Sequence, residues 1–321
     1  MRFLLSVLIL FLLFLFYGFL PVKADKTVDI PYGMSTPQMA MYLYEQGLLR
    51  TPLSFLLLHV VVKGKLEAGE YEFKGWTWPW DVYRKIRYGL KKTYKITIPE
   101  GSDIYDIARI LENNGITKGE DFLKWATSPQ VAKKYGLRVY GMEGFLFPDT
   151  YFFSRNTHPL TIIDTMYHNF LRRTKPLREE LLQKGMSLEE WVTVASMIEK
   201  ETAVKEEKPL VAAVIYNRIK RGMKLQIDPT VIYALKRKNM WDGKLTLKDL
   251  KIDDPYNTYL YPGLPPTPIC NPGLDSLEAA LRPAKVDYLY FVANGEGGHF
   301  FSVTYEDHLK KVNLYRQMHR Q

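Results

Sequence analysis

Apolar positions along this chain follow three patterns. The first is a block. After Met1 and Arg2 come eighteen uncharged residues, "FLLSVLILFLLFLFYGFL". That length reaches the threshold for a membrane-spanning helix and exceeds a usual signal-peptide core of about 7–15 residues. A transmembrane anchor over residues 1–22 is expected, with Tyr17 and Phe19 at the interface. The competing reading is a cleaved signal, because Val22-Lys23-Ala24 resembles a small-x-small cleavage site. Arg2 and the terminal amine face Lys23 and Lys26 on the other flank, so the positive-inside rule separates the two topologies only weakly. The expected placement is a single-pass, uncleaved anchor with the bulk of the chain outside the cytoplasm.

The second pattern is a repeat. "VDIPYGMSTPQMAMYLYEQGLL" from Val28 and "ITIPEGSDIYDIARILENNGI" from Ile96 match at an offset of 68. Ile30-Pro31, Gly33, Ala40, Leu43 and Gly47 recur as Ile98-Pro99, Gly101, Ala108, Leu111 and Gly115. Each copy predicts a short strand, a Pro-x-Gly turn and an amphipathic helix stopped by glycine. Ser35 and Ser102 are the candidate helix caps. "GKLEAGEYEF" and "KKTYKITI" between the copies predict strands with charged outer faces. Two copies are too few for a solenoid, so the plain reading is a duplicated β-α unit. Residues 116–190 read as largely helical, interrupted by "MEGFLFPDTYFF", where Pro148 and the aromatic cluster break the period.

The third pattern is the helix "MSLEEWVTVASMIEKETAV". Ser187 and Glu190 have capping-box spacing, and Met186 and Trp191 sit where a hydrophobic staple would. Trp191, Val194, Ala195 and Ile198 form the predicted buried stripe. Two glutamates close this helix. Glu201 falls between Val194 and Met197 on the wheel, and Glu199 falls near Val192 and Ala195. They point roughly 160° apart and cannot form a catalytic pair with each other. Periodicity alone leaves both open to being ordinary solvated residues.

Composition narrows the partners. Hydrophobic residues make up 46% of the 321, enough for a sizeable core, and the net charge is +9. A basic balance favours anionic partners, but no block of like charges forms a polybasic arm. With most of the chain outside the cytoplasm, nucleic-acid binding is not expected. Cys270 is the sole cysteine, so there is no disulfide framework and no thiolate cluster; it reads as a small packed residue. His299 and His308 match no familiar ligand spacing and read as solvated histidines. No cofactor or metal is expected.

The downstream loops change the picture. "VIYNRIKRGMKLQIDPTVIYAL", "DPYNTYLYPGLPPTPICNPGLDSLEAALRPA" and "YLYFVANGEGGHFFS" mix uncharged hydrogen-bonding groups with tyrosines on Pro/Gly-rich loops. Asn217, Gln226, Thr230, Asn257 and Thr258 alternate with Tyr216, Tyr256, Tyr259 and Tyr261. Planar rings suit pyranose faces, and amides suit hydroxyl and acetamido groups. No phosphate-binding pattern occurs.

Together, "EGFLFPDTY", "ASMIEKET", "VIYNRI", "LQIDPTVIY", "YNTY…GLPPTPICNPG" and "YLYFVA…GGHFFS" resemble the MltG-type (YceG-like) endolytic murein transglycosylases over residues 143–303. "ITIPEGSDIYDIARILENNGI" likewise resembles a LysM-like segment of bacterial wall enzymes. The resemblance implies an α+β fold in three parts. These are an anchor (1–22), a LysM-like region with the duplicated unit and a helical connector (27–155), and a mixed α+β catalytic domain (156–321) whose motif begins near 143. It implies cleavage of the β-1,4 bond between N-acetylmuramic acid and N-acetylglucosamine within peptidoglycan strands, leaving 1,6-anhydro-muramyl ends. The resemblance also implies peptidoglycan synthases as protein partners and the bacterial cytoplasmic (inner) membrane as the location. The family's Glu-Lys-Glu-Thr motif places the catalytic carboxyl on Glu201. Glu143, Tyr216, Asn217, Gln226, Asp228, Tyr256 and Asn257 are the expected substrate-binding set.

Glycosidic cleavage needs a proton on the leaving oxygen, so the carboxyl must hold one near neutral pH. Burial against Val194, Met197 and Ile198 is expected to raise its pKa. A lysozyme-like hydrolase is the nearest rival and needs a second carboxylate; Asp228, then Asp254 and Glu143, are its candidates. The other rival is a non-catalytic peptidoglycan-binding scaffold, in which Glu201 is dispensable.

Overall fold

The computed structural model describes residues 2–318. Met1 and the Arg2 side chain, which entered the topology argument, lie outside what is described. The fold mixes α and β and gathers into two compact units, Met1–Lys95 with Phe152–Asn156, and Ile96–Tyr151 with Thr157–Gln321.

The first unit starts with α1 (Arg2–Phe19) and β1 (Val22–Lys23). It continues through β2 (Lys26–Ile30), α2 (Thr36–Glu45), α3 (Pro52–Val62), β3 (Gly69–Phe73), β4 (Trp76–Thr77) and α4 (Pro79–Arg87). β2 pairs antiparallel with β3, setting Val28 opposite Tyr71. Alternation turns Val28, Ile30, Tyr71 and Phe73 inward. Met39, Ala40 and Leu43 of α2, Phe55 of α3, and Val82, Tyr83 and Ile86 of α4 close on that face. Among the described residues, no helix is long and apolar enough to cross a membrane. The apolar side chains of α1 are largely exposed, from Phe3 through Tyr17.

β5 (Tyr94–Thr97) and β6 (Thr150–Phe153) carry the chain between units. The second unit holds α5 (Ile104–Asn113), α6 (Gly119–Ala126), α7 (Pro129–Lys134), α8 (Pro159–Arg173), α9 (Lys175–Gln183) and α10 (Leu188–Glu201). It ends with α11 (Lys208–Lys220), α12 (Asp228–Arg237), α13 (Leu274–Leu281), the antiparallel hairpin β7 (Tyr290–Ala293) and β8 (His299–Ser302), and α14 (Tyr305–Met318).

Both copies of the repeat fold as their pattern predicts. Gly33 and Gly101 turn at φ +85° and +75°, and Gly47 and Gly115 stop the helices at +66° and +65°. Those angles are open to glycine at little cost. Ala40 and Leu43, like Ala108 and Leu111, face the cores. The recurring residues are thus the ones the β-turn-α geometry requires. One cap differs. Ser35 caps α2, but Asp103 caps α5, accepting from the Asp106 amide at 2.8 Å. Ser102 bonds back to the Pro99 carbonyl at 2.7 Å instead. The two copies belong to different units, whose compact division falls near residue 95, while the sequence pattern places its boundary near 155. The second copy is tied downstream, where Gly101 N donates to the Asn271 carbonyl and Asn271 N to that of Ser102.

α10 is the centre of the second unit. Ser187 caps it through the Glu190 amide, as expected. The predicted one-sided stripe is too narrow: every residue from Trp191 to Ile198 is buried. α11, α12 and α13 surround this helix, so amphipathic periodicity does not apply to it. Trp191 anchors it, its indole N–H donating to the Leu277 carbonyl at 2.8 Å. Gly144 turns at φ +88° against it; a Cβ there would meet Pro268 at 2.4 Å and Val192 at 2.9 Å. Thus the "EGF" turn can pack on α10 only as glycine.

Candidate active site

α10 ends at Glu201, and Thr202 leaves the helix in an extended conformation. Glu201 thereby opens into a cavity of about 200 Å³, shared with Arg218, Leu225, Gln226, Asp228, Tyr259 and Phe291. Four further segments supply those walls. Arg218 comes from α11, and its guanidinium bonds the carbonyls of Leu289 (2.6 Å), Leu225 (2.7 Å) and Lys224 (3.3 Å). One cation thus fastens the loop before α12 to the start of β7. Gln226 turns at φ +54°, an uncommon angle for a side-chain-bearing residue, and its amide bonds the Thr258 carbonyl. Thr258 also accepts from the Ile227 amide at 2.9 Å and lies 3.0 Å from the Thr230 hydroxyl. These bonds set Asp228 at the start of α12 beside Tyr259, whose hydroxyl donates to it at 2.5 Å.

Burial pushes the Glu201 carboxyl up to about 7; the Asp228 charge adds to the rise, and Arg218 opposes it. No hydrogen bond to the Glu201 carboxyl occurs among the described residues, so its proton is available to a ligand. Both nearby lysines are engaged elsewhere, Lys200 on the Gly101 carbonyl and Lys205 on Asp275. Such a carboxyl is half protonated near neutral pH and suits general acid work.

The structure brings Glu201, Gln226 and Asp228 together, and puts the other five expected site residues elsewhere. Tyr216 donates to the Ala280 carbonyl at 2.8 Å, joining α11 to α13. Asn217 donates to the carbonyls of Val286 and Tyr288 at 2.8 and 3.0 Å and so shapes the approach to β7. Asn257 is fully buried, donates to the carbonyls of Leu250 and Ile252, and accepts the Tyr259 amide. Glu143 and Tyr256 line a separate cavity of about 450 Å³ with Tyr105, Tyr233 and Arg237. Glu143 accepts from the Ile104 amide, the Tyr233 hydroxyl and the Asn271 amide group at 2.9–3.1 Å. Burial holds its carboxyl well above the usual range. Asp254 is buried between Arg237 and Lys238. Cys270 is buried with its thiol on the Ser196 carbonyl, and burial pushes its pKa up.

Sequence reasoning did not assign Arg218 or Phe291 to the site, and it placed Tyr259 only among the loop tyrosines suited to sugar rings, outside the expected binding set. Arg218 follows Tyr216 and Asn217 in "VIYNRI", and successive helix residues diverge by about 100°. The polar neighbours drew the assignment, while the cation faces the cleft. Phe291 lies ninety positions beyond Glu201, and no local pattern connects them.

Glu199 is not a solvated helix residue. Its carboxylate accepts from the Ser276 hydroxyl (2.5 Å), the Gly273 amide (3.1 Å) and the Lys208 ammonium (3.2 Å). The Glu199 and Lys208 side chains are only 9% and 5% exposed, so this is a buried ion pair joining α10, α11 and α13.

A profile described as the YceG-like family matches residues 28–314. A Bacillus subtilis protein named endolytic murein transglycosylase is 32% identical over 320 residues, covering 92% of this chain and 87% of that one. A Streptococcus pneumoniae protein of the same name is 30% identical over 333 residues, covering 91% of this chain and 59% of that one. The crystal structure of a yceG-like protein from Listeria monocytogenes matches with a TM-score of 0.62 at 35% identity, covering 90% of this chain and 99% of that one.

Proposed function

This chain belongs to the YceG-like family, and from that premise we propose that it is a peptidoglycan lytic transglycosylase with Glu201 as its catalytic carboxyl. The observation that carries the reading is the Glu201 side chain itself, open to a cavity without a hydrogen bond among the described residues and raised to about 7. Protonated Glu201 gives its proton to the bridging oxygen as the bond to C1 of N-acetylmuramic acid breaks. The departing N-acetylglucosamine keeps that proton as a hydroxyl. The Asp228 carboxylate, held by Tyr259, faces the positive charge that develops at C1. Glu201, now ionised, takes the proton of the muramyl C6 hydroxyl as its oxygen bonds to C1. The intramolecular nucleophile has a high effective concentration, so no activated water is needed. Glu201 is reprotonated, and the product ends in a 1,6-anhydro ring.

Asp228 in the same cavity also favours a second reading, a hydrolase with Asp228 as base or nucleophile. Digestion of purified peptidoglycan separates the two, because an anhydro end is one water lighter than a reducing end. Internal fragments with anhydro ends are expected; reducing ends would transfer the site to hydrolysis. In this reading the 27–155 region supplies LysM-like glycan contact. The intact chain is then expected to pellet with sacculi in the cold, and its staying in the supernatant would count against that contact.

The same proposal puts α1 in the cytoplasmic membrane and the rest of the chain outside the cytoplasm, beside the synthases that extend the strands. Its support is the exposed apolar surface of α1 and the aromatic residues near its end. Arg50 lies 5.0 Å over Tyr17 and bonds the Pro21 carbonyl. Lys23 pairs in register with Trp76, and Trp76, Trp78 and Trp80 are all exposed. The full chain is expected in the membrane fraction after carbonate and salt washes, with a synthase among the proteins that co-purify. Release of an intact chain into the soluble fraction would refute the anchor.

A further inference from the structure

The "GGHFFS" hairpin carries a contact that the cleavage scheme leaves unused. His299 opens β8, and both of its polar groups on that side meet Glu207. The His299 amide donates to one carboxylate oxygen at 2.7 Å, and Nδ1 lies 2.7 Å from the other. A carboxylate only accepts, so Nδ1 carries the proton. The same Glu207 oxygen accepts from the Thr202 hydroxyl at 3.2 Å, and that hydroxyl accepts from the Val204 amide at 3.1 Å. Thr202 is the residue after Glu201. On its other side, the His299 ring meets Phe291 edge-on, with centroids 5.4 Å apart and planes at 89°. Phe291 is a wall of the Glu201 cavity. The His299 and Glu207 side chains are about 15% exposed, so His299 is not the solvated residue its sequence context predicts.

We propose that His299 and Glu207 are positioning residues for glycan cleavage, clamping the β7–β8 hairpin to the turn after Glu201 and holding the Phe291 wall against the Glu201 carboxyl. A merely structural tie would be redundant here. β7 is already fastened by Arg218 through the Leu289 carbonyl and by Tyr290 stacked on His308 of α14. The clamp adds a link between the wall and the catalytic turn. The charged groups around Glu201 are Asp228 from α12 and Arg218 from α11, and Glu207 is the one that faces His299. Neither Asp228 nor Arg218 bonds the clamp, so breaking it leaves their charges in place. What changes is water access to Glu201. A solvated carboxyl gives up its proton at lower pH, and a general acid loses activity as pH rises through its pKa.

The inference rests on Glu201 being the acid. Its test is the pH profile of kcat/KM for the full chain on peptidoglycan, from about pH 5 to 9. For His299→Ala, the alkaline limb is expected to move about one to two units toward acid, with a roughly 5–50-fold loss at pH 7 and unchanged sacculus binding. His299→Asn puts an amide N–H near the place of Nδ1 and is expected to restore most of the loss. Phe291→Ala keeps the clamp but removes the wall, and should move the limb in the same direction. It serves as the deciding variant if His299→Ala fails to fold. An unmoved limb in a folded His299→Ala protein, or in Phe291→Ala, overturns the clamp. If Glu201→Gln cleaves normally, the acid assignment fails instead, so the two failures are distinguishable.

Discussion

Glu201→Gln is expected to lower turnover on peptidoglycan by about 10²–10⁴-fold or more. Gln keeps the shape of the side chain but cannot deliver a proton. The upper end is expected because one residue serves both halves of the reaction. The loss should fall on kcat with little change in KM, since Gln can still accept a hydrogen bond from the glycan. Near-normal release of anhydro products would show that another group supplies the proton.

The same variant should be more stable than the parent, and only above a certain pH. The Glu201 carboxyl is raised from 4.5 to about 7 in the folded chain. Below 4.5 it is neutral folded and unfolded, and contributes nothing. Between 4.5 and 7 the unfolded chain releases the proton while the folded chain keeps it. Stability therefore falls as pH rises, and the penalty saturates above 7 at up to about 3 kcal/mol. Glu201→Gln lacks this penalty. Thermal unfolding of the two proteins should coincide near pH 4.5 and separate above pH 7, with the variant higher. Equal melting at alkaline pH would mean that Glu201 is solvated in the folded chain.

What the sequence revealed, and what it did not, divides by distance along the chain. The β-turn-α repeat was legible because Gly33 and Gly101 announce their turns and Ala40 and Leu43 recur as Ala108 and Leu111. The start of α10 was legible from Ser187 and Glu190. The opposite directions of Glu199 and Glu201 followed from helix geometry, and the structure sends them to different surroundings. What each would meet was not legible. Ser276 lies 77 positions from Glu199, and Phe291 lies farther still from Glu201. Residue type also misled. Asn217, Tyr216 and Asn257 have the chemistry of sugar ligands, yet irregular loops need the same amides and hydroxyls to satisfy buried carbonyls. A loop-rich glycan site draws on one set of residue types for both jobs, and sequence alone does not separate them.

Glu199→Gln is expected to damage the fold rather than the chemistry, a reversal of what a solvated helix position would give. The amide oxygen can still accept from Ser276 and Gly273, but Lys208 loses its bonded counter-charge and keeps only the nearby Glu100 carboxyl. Removing one partner of such a pair costs about 3–5 kcal/mol, or roughly 6–20 °C in melting temperature for a unit of this size. Activity per folded molecule should stay within about tenfold, a barrier change near 1.4 kcal/mol, because Glu199 lines no part of the Glu201 cavity. Lys208→Met should cost a similar amount by stranding the Glu199 charge. The double variant Glu199→Met, Lys208→Met discriminates further. If the cost lies in the unpaired charge, removing both charges should recover much of the loss, with a coupling of about 0.5–3 kcal/mol. Additive losses would mean that Glu199 stabilises the α10–α13 junction through Ser276 and Gly273 alone. A Glu199→Gln protein that melts normally yet fails to cleave would instead move this carboxyl from the scaffold into the catalytic machinery.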